Sequence, residues 1–194
     1  MPHRIAIIQG HPDPSQTHLC HALADAYRNG AEQAGFEVRT ITVAELSFPL
    51  IRNQEQFTDS DLPESIEEAQ SVIRSSDHLV LFYPLWLGTM PALLKGFLEQ
   101  VFRYEFAFQR LPSGRFDRKL TGRSARVVIT MGMPASAYRW YFGAHSLKSL
   151  ERNILKFAGI RPIRESLFGM VEESDRGMRE RWLARMRKLG SAGR

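Results

Sequence analysis

The regular alternation of short apolar runs with amphipathic segments is the feature that most restricts the fold of this chain. Five runs have the length and composition of buried strands: 4–10, 37–43, 78–83, 125–130 and 163–171. Five further segments repeat apolar residues at helical spacing: 18–34, 63–76, 91–102, 145–158 and about 178–189. Strands that alternate with helices in this way form a parallel sheet, because each helix returns the chain to the same edge.

The run at 78–83, His-Leu-Val-Leu-Phe-Tyr, is continuously apolar rather than alternating. A strand of this kind is covered on both faces. The sequence therefore predicts the α/β class, with a parallel sheet, helices on both faces and one domain over residues 1–194. Residues 44–62, and about 20 residues after position 102, show no period and are predicted to be loops.

Composition restricts the class of protein. No apolar run approaches the roughly 20 residues that cross a bilayer, and the first residues lack the layout of a signal peptide. The single cysteine, Cys20, excludes an internal disulfide and a multi-cysteine zinc site, and its position inside a helix predicts a core residue. We expect a cytoplasmic protein that does not span a membrane.

The net charge of +5 is concentrated near the end of the sequence. Seven Lys or Arg residues lie within 175–194, against two acidic residues. Such a patch can bind nucleic acid or a membrane surface, but no nucleic-acid-binding motif accompanies it. A solvated helix face is the favoured interpretation, with no nucleic-acid partner.

Ligands of open parallel sheets bind at the carboxyl ends of the strands. The first loop at that edge, 10–18, leads directly into a helix, whose free N–H groups and dipole favour a phosphate. Its polar side chains can add donors, although Ser15 or Thr17 could instead be a simple helix cap. Neither a P-loop nor a G-x-G-x-x-G motif is present, which excludes the commonest nucleotide loops.

The second loop, 84–89, has an unusual apolar composition for a strand tip. A flat heterocycle that packs against Trp86 would explain it, and a loop folded onto the core is the alternative. The third loop, 131–137, offers Gly132 for close approach to a ligand. No acid pair, hydrolytic triad or metal-spaced cluster occurs, so we expect no metal site. A phosphate loop beside an aromatic platform suits a redox cofactor.

Three motifs resemble those of a known family. They are Ile-Ile-Gln-Gly-His-Pro-Asp-Pro at 7–14, Phe-Tyr-Pro-Leu-Trp at 82–86 with Met-Pro-Ala-Leu-Leu-Lys-Gly-Phe at 90–97, and Thr-Met-Gly at 130–132. The chain resembles the flavodoxin-like NAD(P)H:quinone oxidoreductases, a group that includes ancillary quinone reductases of bacterial potassium-efflux systems. The resemblance implies a flavodoxin-like three-layer sandwich with strand order 2-1-3-4-5. It also implies a flavin-dependent enzyme with FMN or FAD, which transfers hydride from NAD(P)H to a quinone-like acceptor by a ping-pong mechanism.

The same resemblance implies roles for individual residues. The expected contacts to the flavin phosphate and ribityl chain are His11, Ser15, Thr17 and His18. The expected cradle of the isoalloxazine ring is Pro84, Leu85, Trp86 and Leu87. The opposite edge is expected at Thr130, Met131 and Gly132. Tyr138 and His145 are expected to be catalytic, next to the acceptor, and some relatives carry a histidine one position away from His145.

The resemblance further implies a homodimer with the cleft at its interface. The aromatic run 140–142 could supply part of that surface, or it could belong to the core. A non-catalytic electron carrier, or a regulatory subunit of a potassium-efflux system with a membrane-protein partner, is the alternative. Electron carriers of this fold are typically acidic, so the basic composition favours the enzyme.

Overall fold

The computed structural model describes residues 4–15, 18–58 and 61–194. Its strands are β1 (Arg4–Gln9), β2 (Glu37–Thr42), β3 (His78–Pro84), β4 (Phe108–Arg110), β5 (Phe116–Arg118), β6 (Ser124–Thr130) and β7 (Ile163–Phe168). Its α-helices are α1 (Leu19–Gln33), α2 (Gln54–Thr58), α3 (Glu64–Ser75), α4 (Ala92–Val101), α5 (His145–Ser149), α6 (Lys156–Ala158) and α7 (Arg176–Ser191). Two π-helical segments, Ala137–Tyr141 and Leu150–Leu155, complete the helical structure around α5 and α6.

Five strands form one parallel sheet in the order β2-β1-β3-β6-β7. Numbered among themselves, these strands have the order 2-1-3-4-5, which confirms the predicted topology. The central strand β3 is buried along its whole length. Leu79 and Leu81 belong to the core on one face of the sheet, and Val80 and Phe82 to the core on the other. The continuous apolar run is therefore explained by two covered faces.

Helices α1 and α7 cover one face and cross at an unusually short distance. A methyl group added at Gly30 would lie 2.1 Å from the Arg187 carbonyl oxygen, and one at Gly190 would lie 2.0 Å from the Tyr27 carbonyl oxygen. Only glycine permits this contact of backbones. The predicted core residue Cys20 lies on the buried side of α1, where burial raises the pKa of its thiol.

The prediction of two long loops was wrong in part. The segment 44–62 contains α2, a helix of five residues with no buried side chain among them. The stretch after position 102 contains the antiparallel hairpin of β4 and β5. Strands of three residues are too short to show a period. The hairpin is held instead by ring contacts, with the Phe108 and Phe157 centroids 4.8 Å apart.

The fifth sheet strand ends at Phe168, three residues before the predicted end at Val171. The chain turns at Gly169, where an added Cβ would lie 2.4 Å from the Ala135 nitrogen, and Met170 has a φ of +55°. This early end turns residues 170–174 into a loop at the carboxyl edge. In the described part of the chain, no helix has the length and apolar composition to cross a membrane.

Candidate functional site at the carboxyl edge of the sheet

The register of three neighbouring strands places the three unusual loops side by side. Gly10, directly after β1, donates its N–H to the Phe82 carbonyl of β3 at 2.7 Å. Leu85, directly after β3, donates its N–H to the Thr130 carbonyl of β6 at 2.8 Å. Because the three strands are parallel and these bonds join them near their carboxyl ends, the loops at 10–18, 84–89 and 131–137 all begin at one edge.

In the first loop, polar donors converge on one carboxylate. Asp13 accepts hydrogen bonds from the Ser15 N–H at 2.9 Å, the Ser15 hydroxyl at 3.0 Å and His18 Nε2 at 2.7 Å. The bond from His18, followed by those from Ser15, lowers the pKa of Asp13 well below its usual range. The loop thus presents several donors to a single negative charge, which is the arrangement that a phosphate requires.

The first turn of α1 follows this loop directly. His18 occupies the N-cap position in an extended conformation, and its side chain makes no capping hydrogen bond. The Ser15 hydroxyl donates a hydrogen bond to Asp13 Oδ2 at 3.0 Å. Thr17 lies outside the described residues, and its predicted role stays a prediction.

Three imidazoles lie together at this helix start. The His11 ring stacks on that of His18 with centroids 4.1 Å apart and lies 5.0 Å from that of His21. His11 is buried, and its Nδ1 accepts a hydrogen bond from the Asp13 N–H at 3.1 Å. Burial, then the positive charges of His18 and His21, lower the pKa of His11. The sequence analysis identified His11 and His18 and missed His21.

The second loop is a two-residue turn that exposes its apolar side chains. Trp86 and Thr89 exchange backbone hydrogen bonds of 2.8 and 2.9 Å, and the two residues between them, Leu87 and Gly88, have φ angles of +47° and +79°. These angles are those of a type I′ turn. Trp86 is 50% exposed and Leu87 fully exposed, whereas Pro84 and Leu85 pack inward. The indole is therefore not part of the core.

The Trp86 indole also borders the first loop. Its ring centroid lies 6.1 Å from that of His11, and the two planes meet at 78°. This edge-to-face contact joins the first loop to the aromatic turn, so one extended ligand could contact both.

The third loop combines two buried residues with one open position. Thr130 and Met131 are buried. Gly132 is exposed, and the nearest atom to an added Cβ would be Glu172 Oε1 at 3.8 Å. The fold itself does not require glycine there. The predicted contact of Gly132 with a ligand stays a prediction.

Glu172 was missed by the sequence analysis. The loop after β7 is attached to the third loop by hydrogen bonds from the Met170 N–H to the Met133 carbonyl and from the Val171 N–H to the Met131 carbonyl, both 3.2 Å. These bonds hold Glu172 beside Gly132. Residues 170–174 follow a strand of the parallel sheet, and that position could have indicated a fourth loop at the site. The predicted strand extended to Val171, so this loop was not recognised.

The two predicted catalytic residues have different environments. Tyr138 is buried, and its hydroxyl accepts the Leu147 N–H at 3.1 Å and shares a hydrogen bond of 2.7 Å with Ser146 Oγ. His145 is exposed at the start of α5, and its ring packs over Gly143, where an added Cβ would lie 2.9 Å from Nε2. These environments do not bear on a contact with an acceptor, so the catalytic roles of Tyr138 and His145 stay predictions. Among residues 4–15, 18–58 and 61–194, no group of His, Cys, Asp or Glu could hold a metal ion.

Comparisons with known proteins agree with this geometry. The model of a family described as having a flavodoxin-like fold matches residues 3–189. An uncharacterized NAD(P)H oxidoreductase of Haemophilus influenzae is 27% identical over 87% of this chain and 85% of its own length. The potassium-efflux ancillary protein KefG of Salmonella paratyphi B is 41% identical, over only 37% of this chain and 36% of its own length.

Solved structures show the same fold at lower identity. An NAD(P)H:quinone oxidoreductase from Methanothermobacter marburgensis superposes with a TM-score of 0.79 at 24% identity, covering 97% of this chain and 95% of that one. An FMN-dependent NADH-azoreductase from Bacillus anthracis, solved in complex with FMN, has a TM-score of 0.76 at 16% identity, covering 97% and 98%. Given the match over almost all of its length, the chain belongs to the family of proteins with the flavodoxin-like fold.

Proposed function

We propose that this chain is a flavin-dependent NAD(P)H oxidoreductase that acts on a quinone-like acceptor, with FMN as its cofactor and one domain over residues 1–194. The observation that carries the proposal is the placement of an anion-binding loop and an exposed aromatic turn on neighbouring strands at one edge of the sheet. The two features match the two ends of a flavin mononucleotide: a phosphate and a flat apolar ring.

The phosphate end fits the first loop. Ser15 and His18 already hold a carboxylate with three hydrogen bonds, and the start of α1 adds backbone N–H groups and a favourable dipole. A phosphate in this position would compete with Asp13 for the same donors. His11, beneath the loop, would border the chain between phosphate and ring.

The ring end fits the second and third loops. Trp86 and Leu87 supply exposed apolar surface, and Gly132 supplies a gap that a Cβ would fill. Pro84 and Leu85 provide the packed base of the cradle, and Thr130 and Met131 provide backbone at the opposite edge. This apolar surface would exclude water from one side of a bound ring and leave the other side open.

A bound flavin supplies the redox chemistry, since it accepts a hydride from reduced nicotinamide and delivers two electrons to a quinone. The role of the protein is to bind and orient. Because a single open side serves both donor and acceptor, the nicotinamide must leave before the acceptor enters. The geometry therefore supports a ping-pong order.

FMN is favoured over FAD because one phosphate satisfies the donors that the first loop offers, and a structural neighbour was solved with FMN. The aromatic run beside the site favours a homodimer, since Trp140 and Tyr141 are 80% and 84% exposed and are not core. The cytoplasm is the proposed location, because it supplies NAD(P)H and keeps a lone cysteine reduced.

A second candidate is an ancillary or regulatory subunit of a potassium-efflux system. The local similarity to KefG is the observation that favours it. Such a subunit would bind flavin at the same edge, with a membrane protein as its partner, so turnover rather than flavin binding separates the two candidates.

Steady-state kinetics with NADH or NADPH and a simple benzoquinone test the proposed function. We expect one quinone to be reduced per NAD(P)H oxidised, with parallel lines in double-reciprocal plots, because donor and acceptor use one open side. Bound flavin with negligible NAD(P)H oxidation would refute the enzyme and support the regulatory subunit. Intersecting lines in the double-reciprocal plots would refute the proposal that donor and acceptor use the same side of the ring.

Leu87→Gly separates the strain of the turn from its function. A non-glycine residue in the left-handed region costs about 1 kcal/mol, and this side chain buries nothing in the protein itself. We expect the free energy of unfolding to stay constant or rise by up to about 1 kcal/mol in urea, while the Kd for FMN rises several-fold. Leu111→Gly, in another exposed loop, is the control and should leave the Kd unchanged. A Leu87→Gly protein with unaltered FMN affinity would remove Leu87 from the cradle.

Tyr138→Phe tests whether this tyrosine positions the 137–147 segment or takes part in chemistry. Loss of the hydroxyl leaves the buried Leu147 N–H without an acceptor, which costs about 1–3 kcal/mol. We expect a lower melting temperature and a change in kcat below about threefold. Tyr141→Phe, at an exposed position, should change neither quantity. A fall in kcat of about a hundredfold at constant melting temperature would instead establish the predicted catalytic role.

A further inference from the structure

His21 has no assigned role, yet it lies within the group of imidazoles at the start of α1. Its ring centroid is 5.0 Å from that of His11 and 5.9 Å from that of His18. We call these three residues the histidine cluster. The cluster lies directly below the first turn of the helix that leads out of the phosphate loop.

The His21 side chain is buried and lacks partners. It is only 4% exposed, and within the described part of the chain neither ring nitrogen has a hydrogen-bond partner. It borders a small polar cavity of about 50 Å³. The other residues that line this cavity are Ile7, Gln9, Ala24, Asp25, Arg28, Thr40 and Thr42. A buried polar ring without partners destabilises a protein, and this ring lies beside His11 at the start of α1.

Charges of both signs face the cluster. On α1, His18 repels a proton on His21, whereas Asp25 attracts it, and Arg28 is paired with Asp25 at 2.7 Å. From the loop, Asp13 attracts a proton on both His11 and His21. From the second loop, the uncharged Trp86 borders His11. Burial is the largest effect at both rings, and it lowers the pKa of His11 and of His21.

We propose that His21 is a residue of the phosphate site, and that the histidine cluster takes up a proton through it when a phosphate dianion binds at the start of α1. The inference rests on the proposed function, because the phosphate is that of the flavin. A dianion near the cluster favours the charged imidazole and reverses the effect of burial. Protonation then places a positive charge beneath the phosphate and strengthens its binding.

The sign of the pH dependence follows from linkage. If the bound state holds more protons than the free state, affinity rises as the pH falls, and the gain is lost as the pH rises through the pKa of the bound state. One fully coupled proton gives at most about tenfold in Kd per pH unit. Below about pH 6 the phosphate itself is protonated, which removes the gain. We therefore expect the affinity for FMN to depend on pH between about pH 6.5 and pH 8.

Titration of the protein with FMN and with riboflavin, from pH 6.5 to pH 8, tests the proposal. Riboflavin has the same ring but no phosphate, so it is the matched ligand. We expect the Kd for FMN to fall by roughly threefold to tenfold from pH 8 to pH 6.5, and the Kd for riboflavin to stay constant. In His21→Gln, which keeps the size and polarity but not the charge, FMN should still bind, with a nearly flat pH profile.

Calorimetry of the unaltered protein gives a second measurement that does not depend on the variant. In buffers of different ionisation enthalpy at pH 7.5, FMN binding should take up a fraction of one proton and riboflavin binding none. Equal pH profiles and equal proton uptake for the two ligands would overturn the role of His21 and leave the proposed function intact. If neither flavin binds, the proposed function fails, and this proposal fails with it.

Discussion

Burial of β3 on both faces is the constraint on which the rest of this structure depends. Its side chains alternate between two cores, so helices must cover the sheet on both sides, and β1 and β6 must flank it. The register of β1, β3 and β6 then fixes where the loops at the carboxyl edge begin. Gly10 is bonded to Phe82 of β3, and Leu85 is bonded to Thr130 at the end of β6, so the three loops leave the same edge of the sheet. The candidate site is a direct consequence of strand pairing.

The parts of the fold that the sequence predicted are those with long, repeated patterns. The helices at 19–33 and 64–75 show several turns of apolar spacing, and β3 and β6 show continuous apolar runs. The hairpin of β4 and β5 and the short helix α2 have too few residues to show a pattern, and packing of aromatic rings fixes the hairpin. Contacts between rings that are distant in the sequence cannot be predicted from a local pattern.

The same distinction applies to the site. Residues within the motifs of loops one and two were predicted because their types are unusual for their positions. His21 and Glu172 were missed because their roles depend on tertiary contacts: a ring 5.0 Å from His11, and a carboxylate beside Gly132. The catalytic role of Tyr138 stays a prediction. This residue lies in the π-helical turn Ala137–Tyr141, and its hydroxyl bonds Ser146 and Leu147.

Two residues at the carboxyl edge carry a local cost. Leu87 is exposed in a left-handed conformation, and in the described part of the chain neither ring nitrogen of the buried His21 has a hydrogen-bond partner. A crystal structure of the protein with FMN tests this account most directly. The account predicts the phosphate bonded to Ser15 and His18 at the start of α1, with the ring beside Trp86 and Gly132. A flavin bound elsewhere, such as in the apolar cavity of about 340 Å³ lined by Phe57, Phe108 and Phe157, would contradict it.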